Sequence, residues 1–117
     1  MDIKSITTAI YSSSLVYANI MGDMLRNQGC ASVHILHNLD EISGSLDLIV
    51  VQLDYKLNQQ LPSMLKSCPK LRVVIAHHET QRPYRDSLLP LSDARVRLIQ
   101  SPFSAWQLVS LIESFDV

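Results

Sequence analysis

The sequence is poor in several things at once, and each shortage removes a class of function. It has three glycines in 117 residues, Gly22, Gly29 and Gly44, so it contains no glycine-rich loop of the kind that lets backbone amides close on a phosphate. Its two cysteines, Cys30 and Cys68, stand 38 positions apart with no metal-ligand spacing, and read as free thiols of a reducing compartment. The net charge of -1 supplies no whole-molecule attraction to nucleic acid or to anionic lipid. Long apolar runs are also missing. Residues 5–22 carry no charge, yet Tyr11-Ser12-Ser13-Ser14 and Asn19 interrupt them, and no basic start or cleavage site marks an export signal. The expectation is a cytoplasmic protein without a membrane segment, and 117 residues forming a single domain, 1–117, that needs neither disulfide nor metal to fold.

What is present is an ordinary globular balance, 47% hydrophobic and 18% charged. Charge is unevenly placed. Six of the ten basic residues (Lys70, Arg72, Arg82, Arg85, Arg95 and Arg97) fall in residues 70–97 against Glu79, Asp86 and Asp93, giving that segment +3 and the remainder -4. A solvated outer face explains this segment more simply than a docking patch.

The chain is organised around residues 46–54, Leu-Asp-Leu-Ile-Val-Val-Gln-Leu-Asp. An unbroken, largely β-branched run of this length suits a central strand of a parallel sheet, covered on both faces and so without alternation. Open α/β sheets carry their chemistry at the carboxyl ends of such strands, which directs attention to Gln52 through Asp54.

Around that strand the pattern predicts strand one over residues 3–11 and a helix over 15–28. The helix shows Val16, Ile20, Met24 and Tyr17, Met21, Met24 at helical spacing, the serine trio before it and Gly29 as its stop. Residues 32–37 read as strand two and 38–43 as at most a brief helix. A helix over 59–67 places Pro62 near its first turn. Residues 71–77 read as strand four, 84–89 as a short helix between Pro83 and Pro90, and 95–100 as strand five. Ser104 and Gln107 form a capping box for a last helix over 105–114, with Leu108, Leu111, Ile112 and Phe115 as its core stripe. Strands alternating with helices predict a three-layer α/β sandwich with right-handed crossovers.

The order of elements, the Asp-Leu-Ile-Val-Val strand, Leu15-Val16, Gly29 and the closing Ser-Pro-Phe-Ser-Ala-Trp-Gln-Leu together resemble the receiver domain of bacterial response regulators. The resemblance spans essentially the whole chain. It implies a flavodoxin-like five-stranded parallel sheet of order 2-1-3-4-5, a place in two-component signalling, and a cis Ser101–Pro102 peptide. It also implies a phosphorylation cleft built from two acids after strand one, an Asp after strand three, a Thr or Ser after strand four and a Lys before the proline. Carried onto this sequence, the acids fall on Tyr11 and Ser12, the phosphoacceptor on Gln52, the hydroxyl on His77 (or on Ala76 with a slip of one) and the lysine on Ser101. Pro102 and Phe103 match.

These departures are chemical. Mg²⁺ is held through carboxylates and retained waters, and three acids of the cluster are gone. A carboxylate attacks phosphorus, whereas an amide oxygen is a far weaker nucleophile. Gln52 keeps the cleft polar and is placed to hydrogen bond with Ser12 or Ser101. Asp54, two residues beyond the acceptor position, is the one carboxylate near the cleft. It reads as an exposed acid at a strand end, with a displaced phosphoacceptor as the alternative. His77 and His78 point to opposite faces if both lie on a strand, so they make a poor metal pair. The serines 12–14 serve as an N-cap more simply than as an anion loop, although a flavodoxin-like ligand- or phosphate-binding domain using that loop stays open.

The resulting expectation is a pseudo-receiver: a non-enzymatic signalling module without cofactor or metal that acts through a protein partner or by homodimerisation, with no direct nucleic-acid binding. Its working surface is expected on Tyr84, Arg85, Leu89, Arg95, Arg97, Phe103 and Trp106. Resemblance implies that face. Trp106, off the core stripe of its helix, is also the residue type found in interface hot spots.

Overall fold

In the computed structural model, which describes residues 1–81 and 93–115, five parallel strands alternate with three helices. In chain order they are β1 (Thr7–Tyr11), α1 (Leu15–Asn27), β2 (Ser32–Leu36), β3 (Leu48–Gln52), α2 (Tyr55–Ser67), β4 (Arg72–His77), β5 (Val96–Gln100) and α3 (Ala105–Glu113). Single 3-10 turns at Leu39–Glu41 and Glu79–Gln81 follow β2 and β4. The sheet order is 2-1-3-4-5, as the resemblance implied. The expected helix over residues 84–89 lies outside the described residues.

β3 has the environment its composition demanded. Leu48, Ile49, Val50 and Val51 are all fully buried. Ile49 and Val51 pack into the layer of Leu57, Leu61, Met64 and Leu65 from α2. Leu48 and Val50 pack on the opposite side with Met21 and Leu25 of α1, Leu108 and Ile112 of α3, and Phe115 just past that helix. A strand buried on both faces has no polar side to alternate with.

Several boundaries differ from the sequence reading. Residues 3–6 are not strand: the Ser5 amide donates to Asp2 O at 3.1 Å and the Lys4 amide to the Asp2 carboxylate at 3.0 Å, closing a turn ahead of β1. α2 begins at Tyr55 rather than at residue 59, because Asp54 caps it, and this puts Pro62 well inside the helix. A proline there lacks an amide to donate and crowds the carbonyl one turn back. Buried Leu57 and Leu61 before it and buried Met64 and Leu65 after it hold the helix against the sheet through it.

The largest difference concerns α1. Its buried face is Ala18, Met21, Gly22 and Leu25, whereas Val16 is 71% and Ile20 54% exposed. Of the two stripes that periodicity identified, the sheet covers the side of Tyr17 and Met21 and leaves Val16 and Ile20 outside. Gly22 permits the close approach, since a Cβ there would lie 3.2 Å from the Ile35 side chain. The helix ends as expected at Gly29, whose φ of +101° belongs to the left-handed region that glycine enters freely. The Cys30 amide then closes back on Leu25 O at 3.0 Å. Cys30 and Cys68 are both free.

Candidate functional site

Parallel pairing brings the carboxyl ends of β1, β3, β4 and β5 to one rim, with Tyr11 opposite Val51, Gln52 opposite Ala76 and His77 opposite Gln100. The first residues past these ends form the cleft. Ser12, buried, donates its hydroxyl to Gln52 Oε1 at 2.5 Å and accepts from the Ser14 amide at 3.0 Å. Gln52 therefore bonds to Ser12, the first of its two expected partners. Ser101 is taken instead by the Tyr17 hydroxyl, at 3.2 Å.

The serine trio divides its work. Ser14 is the N-cap of α1, accepting from the Tyr17 amide at 3.3 Å, while Ser12 links β1 to β3. Ser13 is exposed and, with Tyr11, Asp54 and Lys56, lines a shallow depression of about 270 Å³. Asp54 is more than an acid at a strand end: its Oδ1 accepts from the Leu57 amide at 2.8 Å and caps α2. Burial and, to a smaller extent, the neighbouring Asp54 carboxylate push the Tyr11 hydroxyl above its ordinary pKa. Tyr11 thus stays a neutral phenol where the resemblance called for an acid.

His77 is buried and its carbonyl accepts from the Ser101 amide at 2.7 Å, fastening β4 to the start of the β5–α3 loop. His78 is exposed beside that loop. The Ser101–Pro102 peptide is cis, as the resemblance implied, and Phe103 packs half-buried against the α1–α3 layer. Two residues of the rim escaped the sequence reading. Tyr17, noted only for its helical spacing, packs partly against the core and reaches Ser101 with its hydroxyl. Gln81 donates its amide to Leu53 O at 2.9 Å and accepts from the His78 amide at 2.9 Å, bridging the ends of β3 and β4. The Tyr17–Ser101 and Gln81–Leu53 contacts span long sequence separations, and no local pattern announces them.

Of the expected surface residues that the structure describes, Trp106 is the most open, 73% exposed in the first turn of α3. The Ser104–Gln107 capping box is present in both directions, at 3.1 and 2.7 Å. Arg97 stacks its guanidinium over the Phe115 ring, 5.1 Å from the centroid. Arg95 does not sit beside Trp106. It precedes β5, about 16 Å of strand away from the α3 end. There it pairs with Asp93 at 2.8 Å and donates to Leu65 O and Pro69 O. Tyr84, Arg85 and Leu89 lie outside the described residues.

A carboxylate that caps a helix, an amide bonded to a serine and three further serines stand at this rim. Such a set can donate and accept hydrogen bonds. It offers a divalent cation one carboxylate where a carboxylate cluster is the usual host. Among the described residues no three His, Cys, Asp or Glu side chains lie together as a metal-binding group. Among them, too, no helix is long and apolar enough to cross a membrane.

No protein-family model matches the sequence, and no curated protein does. Solved structures do match. A pilus-assembly-related protein from Burkholderia pseudomallei superposes with a TM-score of 0.72 at 11% identity, covering 94% of this chain and 89% of that one. A response regulator receiver protein from Sinorhizobium medicae gives 0.70 at 11% identity, with 95% and 94% covered. The chain has a receiver-like fold. In this fold the rim of Ser12, Gln52, His77 and Ser101 lies at the carboxyl ends of the strands, where open sheets place their ligands. Identity of 11% carries the architecture and nothing of the chemistry, which rests on the residues themselves.

Proposed function

We propose that this receiver-like chain is a non-phosphorylatable signalling module that acts by contacting other protein, a second polypeptide or its own copy. The observation that carries the reading is the Ser12–Gln52 hydrogen bond. At the end of β3, where the resemblance places a nucleophilic carboxylate, stands an amide already bonded to the residue that replaces one of the metal-binding acids. The remaining acid, Asp54, is engaged by the backbone of α2. Two of the requirements for phosphoryl transfer, a charged nucleophile and a cation held beside it, are thereby replaced by neutral hydrogen bonding.

Two features support protein contact as the mode of action. Large aromatic side chains left in solvent are enriched at interface hot spots, and Trp106 is one. Phe103 lies on the loop leading into the same helix, whereas Arg97, on the adjoining strand, turns its guanidinium to Phe115 past the other end of that helix. Tyr84, Arg85 and Leu89 complete the proposed surface, whereas Arg95 is committed to α2. The likeness to a pilus-assembly-related protein is as close as that to a response regulator receiver, so fold similarity by itself does not favour phosphotransfer.

The test is incubation with acetyl phosphate or beryllofluoride in the presence of Mg²⁺, read by intact-mass spectrometry and by amide chemical shifts. The expected result is no added mass and no shifts around residues 11–14, 52–54 and 101. Stoichiometric phosphorylation of Asp54 would overturn the reading. Gln52→Asp alone is expected to leave the protein unphosphorylated, because Tyr11 and Ser12 still supply no carboxylate for the metal.

A further inference from the structure

α1 is apolar on more of its circumference than the sheet can cover. With Ala18, Met21, Gly22 and Leu25 turned inward, Val16, Ile20 and Met24 form a second stripe on the outer side. Val16 and Ile20 are more than half exposed. A helix apolar on both sides is ordinarily buried on both. The outer stripe also borders a largely apolar depression of about 260 Å³, shared by Tyr17, Ile20 and Met24 with Pro102 and Phe103.

We infer that this stripe is a homodimer seam, in which α1 of one copy packs antiparallel on α1 of a second copy across a two-fold axis at Ile20. The inference rests on the reading of the chain as a protein-contact module, and it names the occupant. The stripe itself points to that occupant. Val16 and Met24 stand four residues before and four after Ile20, so a two-fold axis there sets Val16 against Met24 of the other copy and Ile20 against itself. An isologous contact must be compatible with its own image. Residues 5–22 are uncharged, so most of the seam brings no like charges together. Asp23 falls opposite Tyr17 of the second copy rather than opposite its own equivalent. Arg26 is drawn aside, donating to Asp23 Oδ1 and to Val33 O, both at 3.3 Å.

The length of the helix fixes the scale of the contact. Thirteen residues make a helix about 20 Å long. Even with Pro102 and Phe103 at its edge, such a seam stays near or below about 1,200 Å² in total, the range of transient association. The dimer is therefore concentration-dependent, forming and dissociating within an accessible range.

Sedimentation velocity of the full chain over a concentration series tests this directly. The wild type is expected to shift from monomer to dimer as concentration rises. Ile20→Glu and Ile20→Lys, each placing like charges on the axis, are expected to stay monomeric at every concentration. An equimolar mixture of the two is expected to recover the dimer. A wild type that remains monomeric throughout, or an Ile20→Glu variant that still dimerises, overturns the seam. Should Ile20→Glu lose its circular dichroism signal, Val16→Lys replaces it, since that position is 71% exposed and does not enter the core. Dimerisation that survives Val16→Lys overturns the seam equally. A monomeric wild type that takes no phosphoryl group removes only the self-pairing. Phosphorylation of Asp54 removes the underlying reading whatever the oligomeric state.

Discussion

Asp54 is where the two readings of the cleft can be separated by stability alone. As a cap, its carboxylate receives the Leu57 amide at 2.8 Å and faces the positive end of a thirteen-residue helix. Replacing an Asp cap by Ala costs about 1 kcal/mol, with a further ~0.5 kcal/mol from the lost charge at the helix end. For a domain of this size the combined loss lowers Tm by roughly 4–8 °C. Asparagine caps about as well as aspartate but carries no charge, so Asp54→Asn is expected to cost only about 0.5 kcal/mol. Thermal and urea unfolding of the two variants, compared by midpoint at unchanged m-value, measure the difference. A phenolate titration gives a second readout. Tyr11 is raised first by burial and only second by Asp54, so in Asp54→Asn its pKa is expected to fall towards 10.0 but to stay above it. The reasoning is refuted if Asp54→Ala is as stable as wild type, or if Asp54→Asn is as damaging as Asp54→Ala. The first result would mean that the carboxylate does not cap, and the second that its charge serves something other than the helix.

Asp93 is held at a pKa of about 2, chiefly by the hydrogen bonds from Arg95. A depressed carboxyl stabilises the fold above its unfolded pKa and loses that contribution as pH falls through the folded one. The expected loss lies between about pH 4 and pH 2, and is at most about 1 kcal/mol because the two side chains remain 24% and 27% exposed and are screened. Urea unfolding across that window checks it, and Arg95→Leu is expected to abolish the dependence. Trp106→Glu is expected to leave the circular dichroism spectrum and melting midpoint unchanged while weakening capture of a second protein. It should leave the α1 self-association intact, and unfolding of this variant would instead make Trp106 a structural residue.

The sequence was most informative where a local pattern has one physical solution. The run from Leu48 to Val51 has no polar alternate position, so only burial on both faces accommodates it, and both faces are buried. Ser104 and Gln107 are three residues apart, and the capping box follows from that spacing alone. Gly29 stops α1 because its backbone needs a positive φ. Pattern failed where two solutions compete. Asp54 closes an apolar run and also precedes a helix, and reading it as the strand's end hid a cap and moved the start of α2 four residues too late. Val16, Ile20 and Met24 have helical spacing, but spacing fixes a stripe's existence without saying which stripe meets the sheet. Gly22 decides that, by letting α1 approach Ile35 closely on its own side.

The rim contacts that no local pattern revealed also bear on how such a module would work. Ser12 to Gln52 joins β1 to β3, Gln81 to Leu53 joins β3 to the turn after β4, and the Ser101 amide to His77 O joins β4 to the loop after β5. The Tyr17 hydroxyl then ties that loop back to α1. Each link is neutral, and together they fasten the loops of the cleft to one another. A chemical switch needs an event whose free energy differs between two arrangements, such as a charge arriving at one of them. Here the positions that would receive such a charge already satisfy one another. On the reading proposed above, output would follow from how much protein is present and what it meets, which is mass action on a weak contact rather than modification of the cleft. The loop that Tyr17 anchors also edges the apolar stripe of α1. Breaking the Tyr17–Ser101 link with Tyr17→Phe would therefore disturb the seam before it disturbed the sheet.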